Sequence, residues 1–597
     1  MSKSDASVQI EYLKKHLPEY FGEISAEVFT EISRHIQWLR VERDQILFNE
    51  GDPGDSMYIL FSGRLQVYSG KGKQHKLHGY ILQGESVGEM ALIANEPRSA
   101  TVRAMRSSLL IKIQADDFKG LVHKYPELLY NITRDIIGRL RKSNLALSQN
   151  FTPNNILFIQ GSQDIDIDAF LQNFTGKLRP YAATRLVTPK SLKKPVSEFN
   201  DEELRNLLNT MNKLERKYQH VLVSCPYGDT GWLKMAGQIA DRVYLLVDFD
   251  SAETVTRFEH EVLAYINQEY TKIEIVFCHR TGKKPEKTSF YKKLRGNADH
   301  YHIRLQEDKD FARLARIVSG NAIALVLGGG GARGLSHLGA VKALEEHNIP
   351  VDLVCGTSAG STIASGVALD MDADTRYRLS SYFIKRKPFI DITLPVFSVL
   401  AGRRVNTALK EIFNETQMDD TWINFFTVAS NISKISPEAI MSGPIWKAIR
   451  ASLSLPALLP PVISNKEILV DGGIFNNVPI DMMKNFFKCR VIAVNVSASP
   501  EYSIIHDEFP GPLKYKFKRL IGKETGSYPG FFDIISKLTT IASSSKFEKD
   551  YHLAEIVLHP PVEKYDMMET DKLDEIMKVG YEYTISRIEE IKKAVLY

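Results

Sequence analysis

Val351–Gly360 reads VDLVCGTSAG, an apolar run of strand character that passes directly into G-x-S-x-G. Between a strand and a helix, that pentapeptide makes a turn sharp enough to leave a serine hydroxyl exposed at the helix N-terminus. Small residues flank the serine because the turn packs closely. Here Gly356 and Gly360 flank Ser358. Alone the pattern is weak, since a glycine turn that merely opens a helix reads the same way. Two further patterns flank it. Upstream, the apolar run IALVL that opens at Ile323 leads into Gly328–Gly334, GGGGARG. Downstream, the run EILV at 467–470 leads into Asp471-Gly472-Gly473. Apolar runs at 323–327, 351–355, 425–429, 467–470 and 491–494 punctuate this half of the chain. Runs of this kind predict an α/β unit.

The glycine run has two readings. Gly329, Gly331 and Gly334 fit G-x-G-x-x-G, the fingerprint of a dinucleotide site, which wants an acidic residue at the end of the next strand. Asp352 stands at the right distance but opens that strand, whose end delivers Ser358 instead. The better reading is an oxyanion hole, with consecutive glycine N–H groups aimed at a developing alkoxide.

The ordered set GGGxRG, GTSAG and DGG resembles the patatin-like phospholipase family. Similarity extends to Arg450–Val462 (RASLSLPALLPPV) and Thr421–Phe426 (TWINFF), so that the likeness covers about 322–495. The resemblance implies that Ser358 is the nucleophile and Asp471 its base partner in a Ser–Asp dyad. It also implies that Gly329, Gly330 and Gly331 with Arg333 form the oxyanion hole. Gly334, Gly356, Gly360, Gly472 and Gly473 frame the three motifs. A catalytic triad would need a histidine after the acid. His506, His552 and His559 follow Asp471 but sit in no recognisable turn motif, and His337 reads as helix packing, so the dyad is preferred.

The N-terminal part reads differently. From Ile36 to Ile113 short apolar runs alternate with Gly, Pro and Asp, as in a small antiparallel roll. Short helices are expected over 7–35 and a long amphipathic one over Asp116–Leu147. Within the roll, Gly84–Val102 reads GESVGEMALIANEPRSATV. An arginine here can grip a phosphodiester through its planar fork, with backbone N–H groups after Gly88 adding to the anion site. Glu89 can accept from a ribose hydroxyl. A β-turn carrying a surface salt bridge is the competing reading. The stretch, with Gly51, Gly54 and Gly63 of EGDPGDSMYILFSGRLQVY, resembles the phosphate-binding cassette of cyclic-nucleotide-binding domains over about 18–145. The resemblance implies a site of Gly88, Glu89, Arg98, Ser99 and Ala100. Arg98 and Ser99 would hold the cyclic phosphate and Glu89 the ribose, with base contacts from about 127–147. Arg98-Ser99-Ala100 looks most like bacterial cAMP-binding regulators, so cAMP is favoured over cGMP. No helix-turn-helix pattern follows.

Between these modules, apolar runs at 156–160, 221–224, 243–248 and 273–278 predict a parallel α/β sheet over about 155–316. ILFIQGS (156–162) stands where a P-loop would, but lacks GxxxxGK[ST]. The segment resembles a degenerate P-loop domain used as a spacer.

The expected organisation is therefore multidomain. A cyclic-nucleotide-binding β-roll with helices occupies 1–150, an α/β spacer 151–318, and an α/β patatin-like hydrolase 319–500, with a helical extension over 501–597. This arrangement resembles the neuropathy target esterase family. It has one nucleotide module and no membrane anchor, unlike the larger eukaryotic members, and is nearer the soluble bacterial type. The implied function is a serine lipid acyl hydrolase of phospholipase or lysophospholipase type under cyclic-nucleotide control. The alternative is a cyclic-nucleotide sensor whose hydrolase module is inert.

Composition agrees with that picture. The 597 residues are 44% hydrophobic and 25% charged, and the net charge is +4, too weak a bias for a nucleic-acid partner. Cys225, Cys278, Cys355 and Cys489 are too scattered for a zinc site or a disulfide framework, and no metal is expected. The first residues lack the apolar core of a signal peptide, and no run reaches about 18 apolar residues. A cytoplasmic location with peripheral access to a lipid surface is expected, and the oligomeric state stays open. Tyr382–Phe389 (YFIKRKPF), leading into FIDITLPVFSVLAGRR, and Lys514–Lys523 (KYKFKRLIGK) combine cations with aromatics and are the candidate lipid-docking stretches.

Overall fold

The computed structural model of the chain describes residues 26–70, 76–126, 128–130, 132–133, 155–266, 273–497, 511 and 531–596. It divides into two compact units, one of Met1–Cys278 with Leu294–His300 and the other of His279–Lys293 with Tyr301–Tyr597.

The first unit opens with a β-roll. Two antiparallel sheets hold the strands β1 (Ile36–Val41), β2 (Ile46–Phe48), β3 (Ser56–Ser62), β4 (Leu65–Ser69), β5 (Lys76–Ile81), β6 (Ser86–Val87), β7 (Thr101–Ala104) and β8 (Ser108–Gln114). Their orders are β1-β8-β3-β6 and β2-β7-β4-β5. The period of two explains the layering. On β3, Tyr58 and Leu60 turn into the roll with Leu65, Val102 and Leu110, while Met57 and Ile59 face the opposite way. There they join Ile111, Ile113 and the helices Ala26–His35 and Ala115–Lys124, through Ile32, Phe118 and Leu121. The helices expected over 7–25 and most of 127–147 lie outside the described residues.

The middle segment follows in the same unit. Its strands are β9 (Asn155–Gln160), β10 (Thr184–Val187), β11 (His220–Cys225), β12 (Arg242–Asp248) and β13 (Ile273–His279). They lie parallel in the order β10-β11-β9-β12-β13, with β11 and β13 buried throughout and β12 buried beyond its first residue, Arg242. β14 (Asp299–Arg304) carries the chain into the second unit.

The second unit is built on one mixed sheet of β15 (Ala322–Leu327), β16 (Leu353–Thr357), β17 (Asn424–Asn431), β18 (Ser436–Ile440), β19 (Val462–Ser464), β20 (Glu467–Asp471), β21 (Cys489–Val494) and β22 (Ile556–Leu558). The order is β19-β20-β17-β16-β15-β21-β22, with β18 on the flank of β17. The central strands β17, β16, β15, β21 and β22 run parallel, whereas β20 runs against β17. The central strands β15 and β16 bury both faces. Ile323, Leu325 and Leu327 of β15 enter one core, and Ala322, Ala324 and Val326 enter the other.

The last hundred residues are more than an appended helical tail. β22 completes the sheet beside β21, and the helix Leu573–Ser586 lies against Ser336–Glu346. That helix pair is tight enough that a side chain at Gly339 or Gly580 would collide with the partner's backbone.

Candidate active site

Three sequence motifs end three strands of the second unit, and the register brings them to one edge. Thr357, the last residue of β16, pairs with Val428 on β17, and the next residue of β17, Ala429, pairs with Asp471 at the end of β20. Because β20 is antiparallel, its C-terminal end reaches the ends of β15 and β16 only at this row. The glycine run leaves β15 beside them.

Ser358 is held at φ 51°, ψ −125°, a conformation that an L-residue adopts at a cost. It caps the helix Ala359–Ala368. Gly356 and Gly360 make the turn possible by close approach. A side chain at Gly356 would meet the backbone of Gly360, and one at Gly360 would run into the carbonyls of Leu327 and Gly328. The Ser358 amide donates to Ser452 Oγ at 2.8 Å, and Ser452 Oγ donates to the Val428 carbonyl at 2.6 Å, so the strained residue is anchored to β17.

The hydroxyl of Ser358 donates directly to Asp471 Oδ2 at 2.7 Å. The other carboxylate oxygen, Oδ1, accepts the Gly473 amide at 2.8 Å. Burial pushes the Asp471 carboxyl up to about 6, against these two hydrogen bonds, which pull it down. Among the described residues no cationic partner holds it ionised, and its shift arises from burial and those two bonds. The pair faces a cavity of about 160 Å³ whose walls are almost wholly apolar, among them Phe383, Phe389, Leu409, Phe413, Leu455 and Leu458. No histidine lines it among the described residues. His337 is fully buried, and its Nε2–H donates to the Gly328 carbonyl at 2.8 Å. Burial holds the ring down to about 4, so it stays neutral and braces the loop.

The glycine run divides its amides. Gly328 donates to Val494 at 2.9 Å and Gly329 to Asn477 at 3.3 Å, which fixes the loop to the sheet. Gly330 and Gly331 spend no amide this way within the described residues. Gly331 lines the cavity at φ +60°, where a Cβ would strike the Met567 carbonyl. Arg333 turns elsewhere: its Nε–H donates to the Tyr565 carbonyl at 2.8 Å, and the residue is not among those lining the cavity. Sequence reasoning missed three parts of this frame. Ser452 tethers Ser358, and Asn477 binds the Gly329 carbonyl at 3.0 Å. Met567, Met568 and Thr570, from the expected extension, line the cavity itself. The pair NN directly after DGGIF was the one available signal.

In the roll, Arg98 is buried under Phe48, 4.2 Å from guanidinium carbon to ring centroid. Its Nη1–H donates to the Gly88 carbonyl at 2.9 Å, and its Nη2–H groups reach Asp55 Oδ1 at 3.1 Å and Ser56 Oγ at 3.3 Å. Gly88 caps the short helix that Glu89 opens. Glu89 is buried, Ser99 is exposed and Ala100 half-buried.

Residues 325–484 match the family described as "Patatin-like phospholipase", and residues 38–125 match the "Cyclic nucleotide-binding domain". The chain joins a patatin-like phospholipase domain to a cyclic nucleotide-binding domain. Patatin-like phospholipase domain-containing protein 6 of Mus musculus is 28% identical over 615 residues, covering 92% of this chain and 45% of that protein. Lysophospholipase nte1 of Neosartorya fischeri is 27% identical over 641 residues, covering 93% of this chain and 42% of its own. The chain thus spans less than half the length of these relatives. Among solved structures, a cyclic nucleotide-binding domain from Methylobacillus flagellatus is 24% identical, with a TM-score of 0.22 over 24% of this chain and 89% of its own. The patatin-like phospholipase domain contains all three glycine motifs, and the cyclic nucleotide-binding domain contains the whole Gly88–Ala100 stretch.

Proposed function

We propose that the chain is a serine lipid acyl hydrolase of the phospholipase or lysophospholipase type, worked by Ser358 and Asp471 and answering to a cyclic nucleotide, with cAMP favoured. The observation that carries the reading is the 2.7 Å bond from Ser358 Oγ to Asp471 Oδ2 at the wall of an apolar cavity. The names of the relatives, a patatin-like phospholipase and a lysophospholipase, point to the same substrate class.

In this reading an acyl chain lies along Phe383, Phe389 and Leu409 with its ester carbonyl over Ser358. Asp471 takes the hydroxyl proton as Oγ attacks, forming a tetrahedral oxyanion. The amides of Gly330 and Gly331, not spent on the fold, stabilise that charge. Asp471 returns the proton to the leaving alkoxide, and water releases the acyl-enzyme by the reverse steps. A carboxyl brought up to about 6 is a stronger base than an ordinary one and still ionised at neutral pH. The substrate resides in lipid, so the enzyme visits a lipid surface peripherally.

Regulation enters through Arg98, whose fork would exchange Asp55 for the cyclic phosphate. Ligand binding biases turnover only as far as it prefers one state, typically about 5–150-fold. The test is hydrolysis of lysophosphatidylcholine and phosphatidylcholine with and without cAMP, in wild type, Ser358→Ala and Arg98→Ala. Turnover lost in the first variant and cAMP response lost in the second support the reading. Wild-type turnover in Ser358→Ala overturns it.

A further inference from the structure

Beyond the cavity, four of the six most exposed large apolar side chains among the described residues of the second unit are gathered on one short arm. Ile392, Leu394, Val396 and Phe397 are 68–81% exposed, and Ile390 is 53% exposed. Side chains this large and this open, adjacent in one segment, mark a surface that meets something apolar.

The arm is built, not slack. Ile392 bridges Leu400 in antiparallel fashion, the Thr393 amide donates to Val399 at 2.9 Å, and the Ala401 amide donates to Asp391 at 2.7 Å. These bonds close a hairpin over 391–401, with Leu394, Pro395, Val396 and Phe397 at its tip. Its base is pinned to the catalytic half of the fold. The Val399 and Leu400 amides donate to the carbonyls of Ala457 and Leu458 at 2.8 and 3.0 Å, and Asp391 Oδ2 accepts the Arg404 amide at 3.1 Å. Phe389, two residues before the hairpin, and Leu458, at its base, both line the cavity that holds Ser358.

Charge completes the pattern. Lys385, Arg386, Lys387, Arg403 and Arg404 flank the two ends of the hairpin and are exposed. Arg386 pairs with Glu411 and Tyr382, whereas Lys385, Lys387 and Arg403 make no ion pair among the described residues. Asp391 faces inward on the Arg404 amide. An apolar tip ringed by cations suits the interface of an anionic bilayer, where the tip enters the acyl region and the cations stay at the headgroups.

We propose that the 391–401 hairpin is a membrane-insertion arm that docks the chain on anionic phospholipid and opens the cavity mouth onto the acyl layer. This rests on the hydrolase reading only for its purpose. A rigid arm tied to Phe389 and Leu458 presents the cavity to lipid each time its tip inserts.

The experiment uses the full chain and vesicles of phosphatidylcholine with about one-third phosphatidylglycerol. Wild type is expected to sediment with the vesicles. L394D/F397D is expected to lose about tenfold or more in partitioning, since a charge is excluded from the acyl region. Both are expected to turn over a short-chain water-soluble ester equally. In a separate variant, F397W, tryptophan emission is expected to shift to the blue on vesicles. Wild-type protein left in the supernatant, a double variant that sediments like wild type, or a tryptophan without a shift would each overturn the arm. So would a double variant that loses self-association in sedimentation velocity while keeping vesicle binding, which would make a second copy the occupant. Vesicle binding lost in the double variant, in a chain that hydrolyses no ester, would uphold the arm and defeat the hydrolase reading.

Discussion

The two sites of this chain handle charge in opposite ways. In the roll, the buried Arg98 is already answered by the protein, with the Gly88 carbonyl, Asp55 and Phe48 around it. In the patatin-like phospholipase domain, the buried Asp471 meets, among the described residues, a neutral hydroxyl and one amide, and burial pushes it up to about 6. In the proposed reading the first arrangement stores a charge until a better anion displaces Asp55, and the second keeps a base in readiness next to its nucleophile. The two sites thus differ less in residue types than in whether the fold satisfies the key group.

The comparison breaks most visibly at the reacting site. Ser358→Ala and Asp471→Asn are each expected to cut kcat by about 10⁴-fold or more, and together no further, because the two act as one unit. Ester turnover by stopped assay checks this, with circular dichroism to confirm the fold. Activity near wild type in Asp471→Asn would hand the role of base to another group. Next in size is the glycine run. Gly330→Val would place its side chain against Val496 and shift the loop. The expected loss is about 10²–10³-fold in kcat with cyclic-nucleotide binding unchanged, as for one lost oxyanion donor. A loss confined to KM would contradict the role.

Readiness of the base also sets pH behaviour. Asp471 must be ionised to act, so kcat/KM falls about tenfold per unit below about pH 6. Stability runs the other way. The folded carboxyl titrates at about 6, above an ordinary aspartate at about 4. Its contribution is therefore full below pH 4 and lost as pH rises through 6. Relative to wild type, Asp471→Asn should gain up to about 3 kcal/mol between pH 4 and pH 8 in urea unfolding. The smallest effect belongs to the sensing site. Removing the competitor with Asp55→Ala should tighten cAMP binding up to about fivefold by calorimetry, since Asp55 is two-thirds exposed and its pair correspondingly weak. Unchanged or weaker binding would show that Asp55 does not compete.

Much of this was legible in the sequence because each motif combines a strand end with glycines, and strand ends are where such a sheet delivers side chains. G-x-S-x-G after VDLVC and DGG after EILV, taken with the family they resemble, pointed to Ser358 and Asp471, whose side chains lie 2.7 Å apart. What stayed hidden depends on pairing across long separations. That β20 runs against β17, setting Asp471 opposite Ala429, is a register fact with no local signature. Met567 reaches the cavity from about two hundred residues beyond Ser358, out of the stretch expected as a helical extension of the hydrolase. The expected oxyanion partner Arg333 was legible as a residue but not as a direction, and its guanidinium turns to Tyr565. Arg64 and Arg106 of the roll meet Asp241 and Glu215 of the middle segment in a buried ion cluster, which no spacing foretells. The cation-rich stretch at 514–523 lies outside the described residues, whereas the hairpin after Phe389 presents its apolar side chains as the sequence suggested.

In the proposed mechanism Ser358, drawn to Asp471 without a histidine, forms the acyl-enzyme. Intact-protein mass spectrometry after quenching a short-chain p-nitrophenyl ester reaction tests it most directly. One acyl group per chain is expected, located on the peptide that contains Ser358, absent in Ser358→Ala and Asp471→Asn and retained in His552→Gln and His559→Gln. An acyl group on any other residue, or one that persists in Asp471→Asn and vanishes with a histidine, would contradict it.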